Sequence, residues 1–115
     1  MNQSPVKIDL HVHTCYSEDA STTPEEVVYH AKKNSLDGVA ITDHNTIEGA
    51  LKLAKKRELT IIPGLEVETR RGHVLALNVT KQIPPKLSLV ETIQEIHDAG
   101  GVAVIAHPSQ VLNTG

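Results

Sequence analysis

Asp9-Leu10-His11-Val12-His13 closes an apolar run that begins at Val6. On a β-strand, residues two apart face the same way, so Asp9, His11 and His13 are expected to project together from the strand's end. Two imidazoles on one face form a metal pincer when other ligands converge on them, and are ordinary strand residues when none do. Residues of the same types recur along the chain. Asp43-His44 follows the apolar stretch Val39 to Thr42, Glu66 follows Leu59 to Pro63, His73 adjoins Val74 to Leu77, and His107 follows Val102 to Ala106. Five of the seven histidines thus lie at or beside the ends of apolar runs. A donor set of imidazoles with a few carboxylates suits Zn, Mn or Fe, whereas Ca or Mg favours oxygen throughout.

The elements that must carry these residues alternate. Val6 to Val12 reads as a first strand, after which Thr23 as N-cap, Pro24 at the first helical position and Glu26 as the return partner open a helix whose inner face is Val27, Val28 and Ala31. Val39 to Thr42 is a short continuous apolar run, as a strand covered on both faces requires. Asn45 and Glu48 repeat the capping spacing and predict a second helix with Ile47, Leu51 and Ala54 inward and Lys52, Lys55 and Lys56 outward. Leu59 to Pro63 and Val74 to Leu77 are further strands joined through a polar turn at Arg70-Arg71-Gly72. Ser88 and Glu91 cap a third helix with Val90, Ile93 and Ile96 inward, and Gly100-Gly101 ends it before the strand Val102 to Ala106. This order predicts an α/β fold with about five strands in a mainly parallel sheet, open or part of a barrel. The polar residues above then all sit at the carboxyl rim, where ligands bind in such folds.

Composition narrows the function. The chain has 115 residues, enough for one domain, and a formal net charge of −3, which argues against a nucleic-acid footprint built on bulk positive charge. Phe and Trp are absent and two Tyr are the only aromatics, so bases would find little to stack on. One cysteine, Cys15, excludes an intrachain disulfide, no targeting segment is evident, and no apolar run approaches the roughly 20 residues of a membrane span. A cytoplasmic protein without membrane contact is expected.

The motifs Asp9-Leu10-His11-Val12-His13-Thr14, Thr42-Asp43-His44, Pro63-Gly64-Leu65-Glu66, Gly72-His73-Val74-Leu75 and Ala106-His107-Pro108 resemble, in order and spacing, those of the PHP (polymerase and histidinol phosphatase) superfamily. The resemblance spans Val6 to Pro108. It implies a distorted (β/α)7, TIM-like barrel with two or three divalent metal ions at its carboxyl rim. It would place His11, His13 and Glu66 on one ion, Asp19 and His44 on a second, and Glu66, His73 and His107 on a third. The implied activity is hydrolysis of a phosphate mono- or diester, since bridged ions of this kind activate water as hydroxide and clamp the attacking and leaving oxygens. Asp9 and Asp43 are expected to accept an N–H from a metal-bound imidazole and fix its tautomer. Arg70 or Arg71 is expected to reach a substrate phosphate.

Other residues of suitable type have plainer roles. Glu18 competes with Asp19, and Glu68 lies outside the Pro-Gly-x-Glu motif. Cys15 is expected to be a small packed residue, His30 and His97 structural, and Lys52 to Arg57 a wet helix face. An amidohydrolase would also use His-x-His, but it calls for a metal-bridging lysine at a strand's carboxyl end, where none stands. A further alternative is a metal-binding module without catalysis, because the motif that ends the family barrel, an Asp-x-His, has no counterpart after His107. A complete barrel takes about 250 residues. The chain is therefore expected to be either the amino-terminal portion of a longer protein or a short relative that closes its site by association, as a homo-oligomer. A small phosphorylated substrate is favoured over nucleic acid.

Overall fold

Two capping boxes start the longer helices. The Thr23 hydroxyl accepts from the Glu26 amide at 3.2 Å while the Thr23 amide donates to the Glu26 carboxylate at 3.0 Å. Ser88 and Glu91 repeat the exchange at 3.1 and 3.2 Å. Each pair satisfies amides that the first helical turn leaves without partners. The computed structural model describes residues 5–107; Pro108, the last residue of the family resemblance, lies outside them. The elements follow in the order β1 (Ile8–Val12), α1 (Pro24–Lys33), β2 (Gly38–His44), α2 (Glu48–Leu53), β3 (Thr60–Thr69), β4 (Gly72–Leu77), α3 (Leu89–Asp98) and β5 (Val102–Ala106).

The five strands form one sheet whose spatial order equals the sequence order. β1 with β2 and β2 with β3 are parallel pairs, each joined through a helix. Only Arg70 and Arg71 separate Thr69 from its partner Gly72, and a connection so short leaves β4 antiparallel to β3. β5 is antiparallel to β4 and so runs with β1, β2 and β3. The sheet is therefore mixed, with β4 as the one reversed strand, and otherwise matches the expected α/β portion of a barrel. It is also strongly curled. In a flat sheet the edge strands β1 and β5 would lie roughly 19 Å apart, four spacings of about 4.8 Å. Yet the rings of His11 and His107, at the ends of those strands, have centroids 6.0 Å apart.

Two apolar clusters line the two faces. On the convex side, Val39, Ile41, Leu65, Val67, Val74 and Ala76 pack beneath the helices with Val28, Leu53 and Ile96. Fully burying side chains of this size contributes about 1.5–3 kcal/mol each. On the concave side Ala40, Leu75, Leu77 and Ala106 form a smaller floor with Ile62. Within the convex layer three expectations need correction. Asn45 does not cap α2: the N-cap is Ile47, without a side-chain bond. Asn45 instead adopts a left-handed φ of 55° and accepts from the Glu68 amide at 2.9 Å, tying the loop to β3. The shorter helix buries Gly49, Ala50 and Leu53 and leaves Leu51 exposed, because the later start rotates its face. On α3, Val90 is 77% exposed and Thr92 takes the buried position, its hydroxyl donating to the Ser88 carbonyl at 2.8 Å.

Candidate metal centre

Glu66 is fully buried and faces five imidazoles. Its Oε1 lies 2.5 Å from His11 Nε2 and 3.0 Å from His13 Nε2. Its Oε2 lies 2.7 Å from His73 Nδ1, 3.7 Å from His44 Nδ1 and 3.9 Å from His107 Nε2. The rings close a circuit around it: His11 to His13 at 5.0 Å, His13 to His44 at 4.5 Å, His44 to His73 at 5.4 Å, His73 to His107 at 6.4 Å, and back to His11 at 6.0 Å. Backbone register explains the convergence. His44 pairs with Glu66 across β2 and β3, so both side chains leave the same concave face. Two residues earlier, Gly64 sits where a Cβ would come within 2.2 Å of the Ala76 carbonyl oxygen, so glycine is what lets β4 approach closely beside Glu66.

Asp19 joins from the loop after β1. Its Oδ2 is 3.0 Å from His13 Nδ1 and 3.2 Å from His44 Nε2, and its side chain remains half exposed. Burial works to raise the Glu66 carboxyl pKa. Hydrogen bonds with His11 and His73, the charge of His44 and a hydrogen bond with His13 outweigh that effect and hold it below the ordinary glutamate range. Desolvation likewise opposes ionisation of Asp19, and the contact and charge of His13, the charge of His44 and its own amide bring it below the usual value. Both carboxylates are therefore anionic at neutral pH.

These residues make three groups able to hold an ion: His11, His13 and Glu66; His13, Asp19 and His44; and His44, Glu66 and His73. Asp19 and His44 thus share a group with His13, and His44 stands beside Glu66 and His73, with His107 Nε2 3.9 Å from the same Glu66 oxygen. His107, half exposed and with a left-handed φ of 53°, borders the circuit from β5. The donor set fits divalent ions. Imidazole nitrogens gathered around a buried carboxylate, with a second carboxylate beside them, are the donors such ions take. The Thr42 hydroxyl, fully buried and without a hydrogen-bond partner among the described residues, lies two residues before His44 on the same strand face.

Asp9 and Asp43 are placed otherwise than expected. An extra residue in β1 between Asp9 and Val12 breaks the two-residue alternation. Asp9 pairs with Val39 of the convex core, and its Oδ1 accepts from the His11 backbone amide at 3.0 Å, not from an imidazole. Asp43, adjacent to His44 on a strand, points to the opposite face. It is fully buried and accepts from the Thr14 amide, from Thr14 Oγ1 at 2.7 Å and from Ser17 Oγ at 3.0 Å. Arg70 turns its Nε to the Lys86 carbonyl at 3.3 Å, and Arg71 is exposed at the hairpin tip. Cys15, expected to be packed, is exposed. Sequence reasoning missed Thr14 and Ser17, polar residues between β1 and α1 that are buried at 0% and 2% exposure.

The family model of the PHP domain matches residues 9–105. The chain belongs to the PHP domain family. Among individual proteins, it is 38% identical over 116 residues to the uncharacterized protein MJ1587 of Methanocaldococcus jannaschii, covering 90% of this chain and 68% of that one. Of several other relatives it spans between 37% and 40% of the length. A solved structure of a candidate metal-dependent phosphoesterase from Bifidobacterium adolescentis shares 32% identity over 64% of this chain and 28% of that one, with a TM-score of 0.53. An amidohydrolase from Chromobacterium violaceum, 20% identical, matches 90% of this chain and 68% of that chain with a TM-score of 0.71, a likeness of fold. No helix among the described residues is long and apolar enough to cross a membrane.

Proposed function

We propose that the chain is a metal-dependent phosphoesterase domain that cleaves a small phosphate mono- or diester. Membership of the PHP family and likeness to a metal-dependent phosphoesterase support a phosphoesterase-type function. The observation that carries the reading is Glu66, one buried carboxylate whose two oxygens face different imidazole pairs. His11 and His13 with Oε1 would hold one ion, and His44 and His73 with Oε2 a second, with Glu66 as the bridge. A neutral imidazole offers one lone-pair nitrogen, so His13 and His44 each serve one ion at a time. Zn, Mn and Fe all suit such donors. When bound, the ions supply Lewis acidity that polarises the phosphoryl group and lowers the pKa of a coordinated water. Glu66 and Asp19 balance part of the metal charge. Asp19 also accepts from the His13 ring and holds its orientation, the role first given to Asp9 and Asp43.

A cavity of about 410 Å³ lined by Tyr16, Glu18, Asp19, His44, Asn45 and Thr46 adjoins the centre and suits the organic part of a small ester. Arg71, exposed beyond His73, and Arg70, once released from the Lys86 carbonyl, would meet a phosphate from the hairpin side. A second reading, a metal-binding module without turnover, is favoured by the openness of the centre, where His11 and His107 side chains are 36% and 50% exposed. Metal content measured alongside hydrolysis of a chromogenic phosphodiester in Mn separates the two. Bound metal with no turnover supports the silent module. His11→Ala should reduce turnover to background with the fold retained by circular dichroism; retained activity overturns the assignment.

A further inference from the structure

We infer that Asp43 is a positioning residue that clamps the loop after β1 to the end of β2, and so sets the spacing of His13, Asp19 and His44. This rests on His13 and His44 being metal ligands and on Asp19 orienting the His13 ring. Asp43 is fully buried, and its carboxylate collects three donors, all from the loop: the Thr14 amide, the Thr14 hydroxyl at 2.7 Å and the Ser17 hydroxyl at 3.0 Å. While its hydroxyl donates to Asp43, the Ser17 oxygen accepts from the His44 amide at 2.7 Å. The Thr14 oxygen similarly accepts the Tyr16 amide at 3.2 Å. One carboxylate thus fixes the residue next to His13, a residue two before Asp19, and the backbone of His44. Three donors gathered on one buried side chain hold the loop where a solvated loop would wander.

Gly49 shows how tightly the clamp is packed. A Cβ there would fall 2.3 Å from Asp43 Oδ2 and 2.7 Å from Thr14 Oγ1, so α2 lies directly against the clamp and admits only glycine. His73, by contrast, is positioned by the β3–β4 hairpin. Neither of the sheet's concave contacts nor the helix caps explains a buried carboxylate at this place. Its partners are the loop that carries ligands and the strand end that carries another.

Metal titration of the apoprotein by calorimetry with Zn or Mn tests the clamp. Asp43→Asn, which keeps the shape and removes the charge, should weaken binding about ten- to a hundredfold, as loss of a group that orients ligands does. Thr14→Val should weaken it similarly, while Thr14→Ser, which restores the hydroxyl, should recover wild-type affinity. The rise in melting temperature on adding metal should shrink in Asp43→Asn and Thr14→Val. Ile96→Val, a core change under α3, should lower stability and leave affinity unchanged. Wild-type affinity in both Asp43→Asn and Thr14→Val overturns the clamp, as does an equal loss in Ile96→Val, which would make the effect one of general stability. Wild-type protein that binds no metal would instead overturn the function proposed above.

Discussion

At the scale of single residues, the histidines were legible because their signal is local. Each lies at or beside an end of an apolar run, and that end fixes its place at the rim. The roles of the aspartates were not, because they depend on which face a side chain leaves. For Asp9 that turns on one extra residue in β1, and for Asp43 on the alternation that sends it away from His44. Asp19 is the carboxylate whose contribution separates most cleanly from folding, since its side chain is 49% exposed. Asp19→Asn should change stability by less than about 0.5 kcal/mol. It should nevertheless lower metal affinity, because the carboxylate facing both His13 Nδ1 and His44 Nε2 loses its charge. Parallel melting and metal titration check this; a large stability loss, or unchanged affinity, would contradict it.

At the scale of elements, the capping boxes of α1 and α3 were readable because Thr or Ser and Glu three residues apart satisfy their amides without help from elsewhere. Ser88→Ala should cost about 1 kcal/mol in chemical denaturation. The partner glutamate adds a pH dependence of definite sign. Hydrogen bonds from the Ser88 side chain and amide hold the Glu91 carboxyl below its ordinary value. A carboxyl depressed in the folded state stabilises above its unfolded pKa, and that gain disappears as pH falls through the folded value. Wild type should therefore exceed Glu91→Gln in stability at neutral pH, and the gap should close on acidification below the ordinary glutamate range. A gap independent of pH would show that the amide replaces the carboxylate in full. α2 defeated the same reading because a tertiary bond took its cap: Asn45 serves β3, and Gln82 ties down the Asn45 carbonyl and the Ile47 amide. Nothing near Asn45 in sequence announces either partner.

For the whole molecule, alternating strands and helices gave the α/β class, while the reversal of β4 after the short Arg70-Arg71 turn comes from the structure. The curl did not follow from any local pattern, because it is a property of five strands together. Among the described residues it leaves β1 and β5 as sheet edges and a concave floor flanked by apolar side chains: Ile8 is 37% exposed, Val104 40% and Val102 58%. Register places all three on the concave side, opposite Gly38, Leu75 and Leu77. Edge strands bordered by exposed apolar residues pair with whatever presents a matching edge, and a second copy of this chain always does. Sedimentation velocity across a dilution series should accordingly show concentration-dependent self-association. Val104→Lys, which places a charge on the concave side of an edge strand, should shift the distribution to monomer while metal affinity, set by residues of the rim, stays at the wild-type value. A wild-type protein that remains monomeric and stable at every concentration would show that this face needs no second copy. A Val104→Lys protein that loses metal along with association would show instead that the centre is completed across the interface.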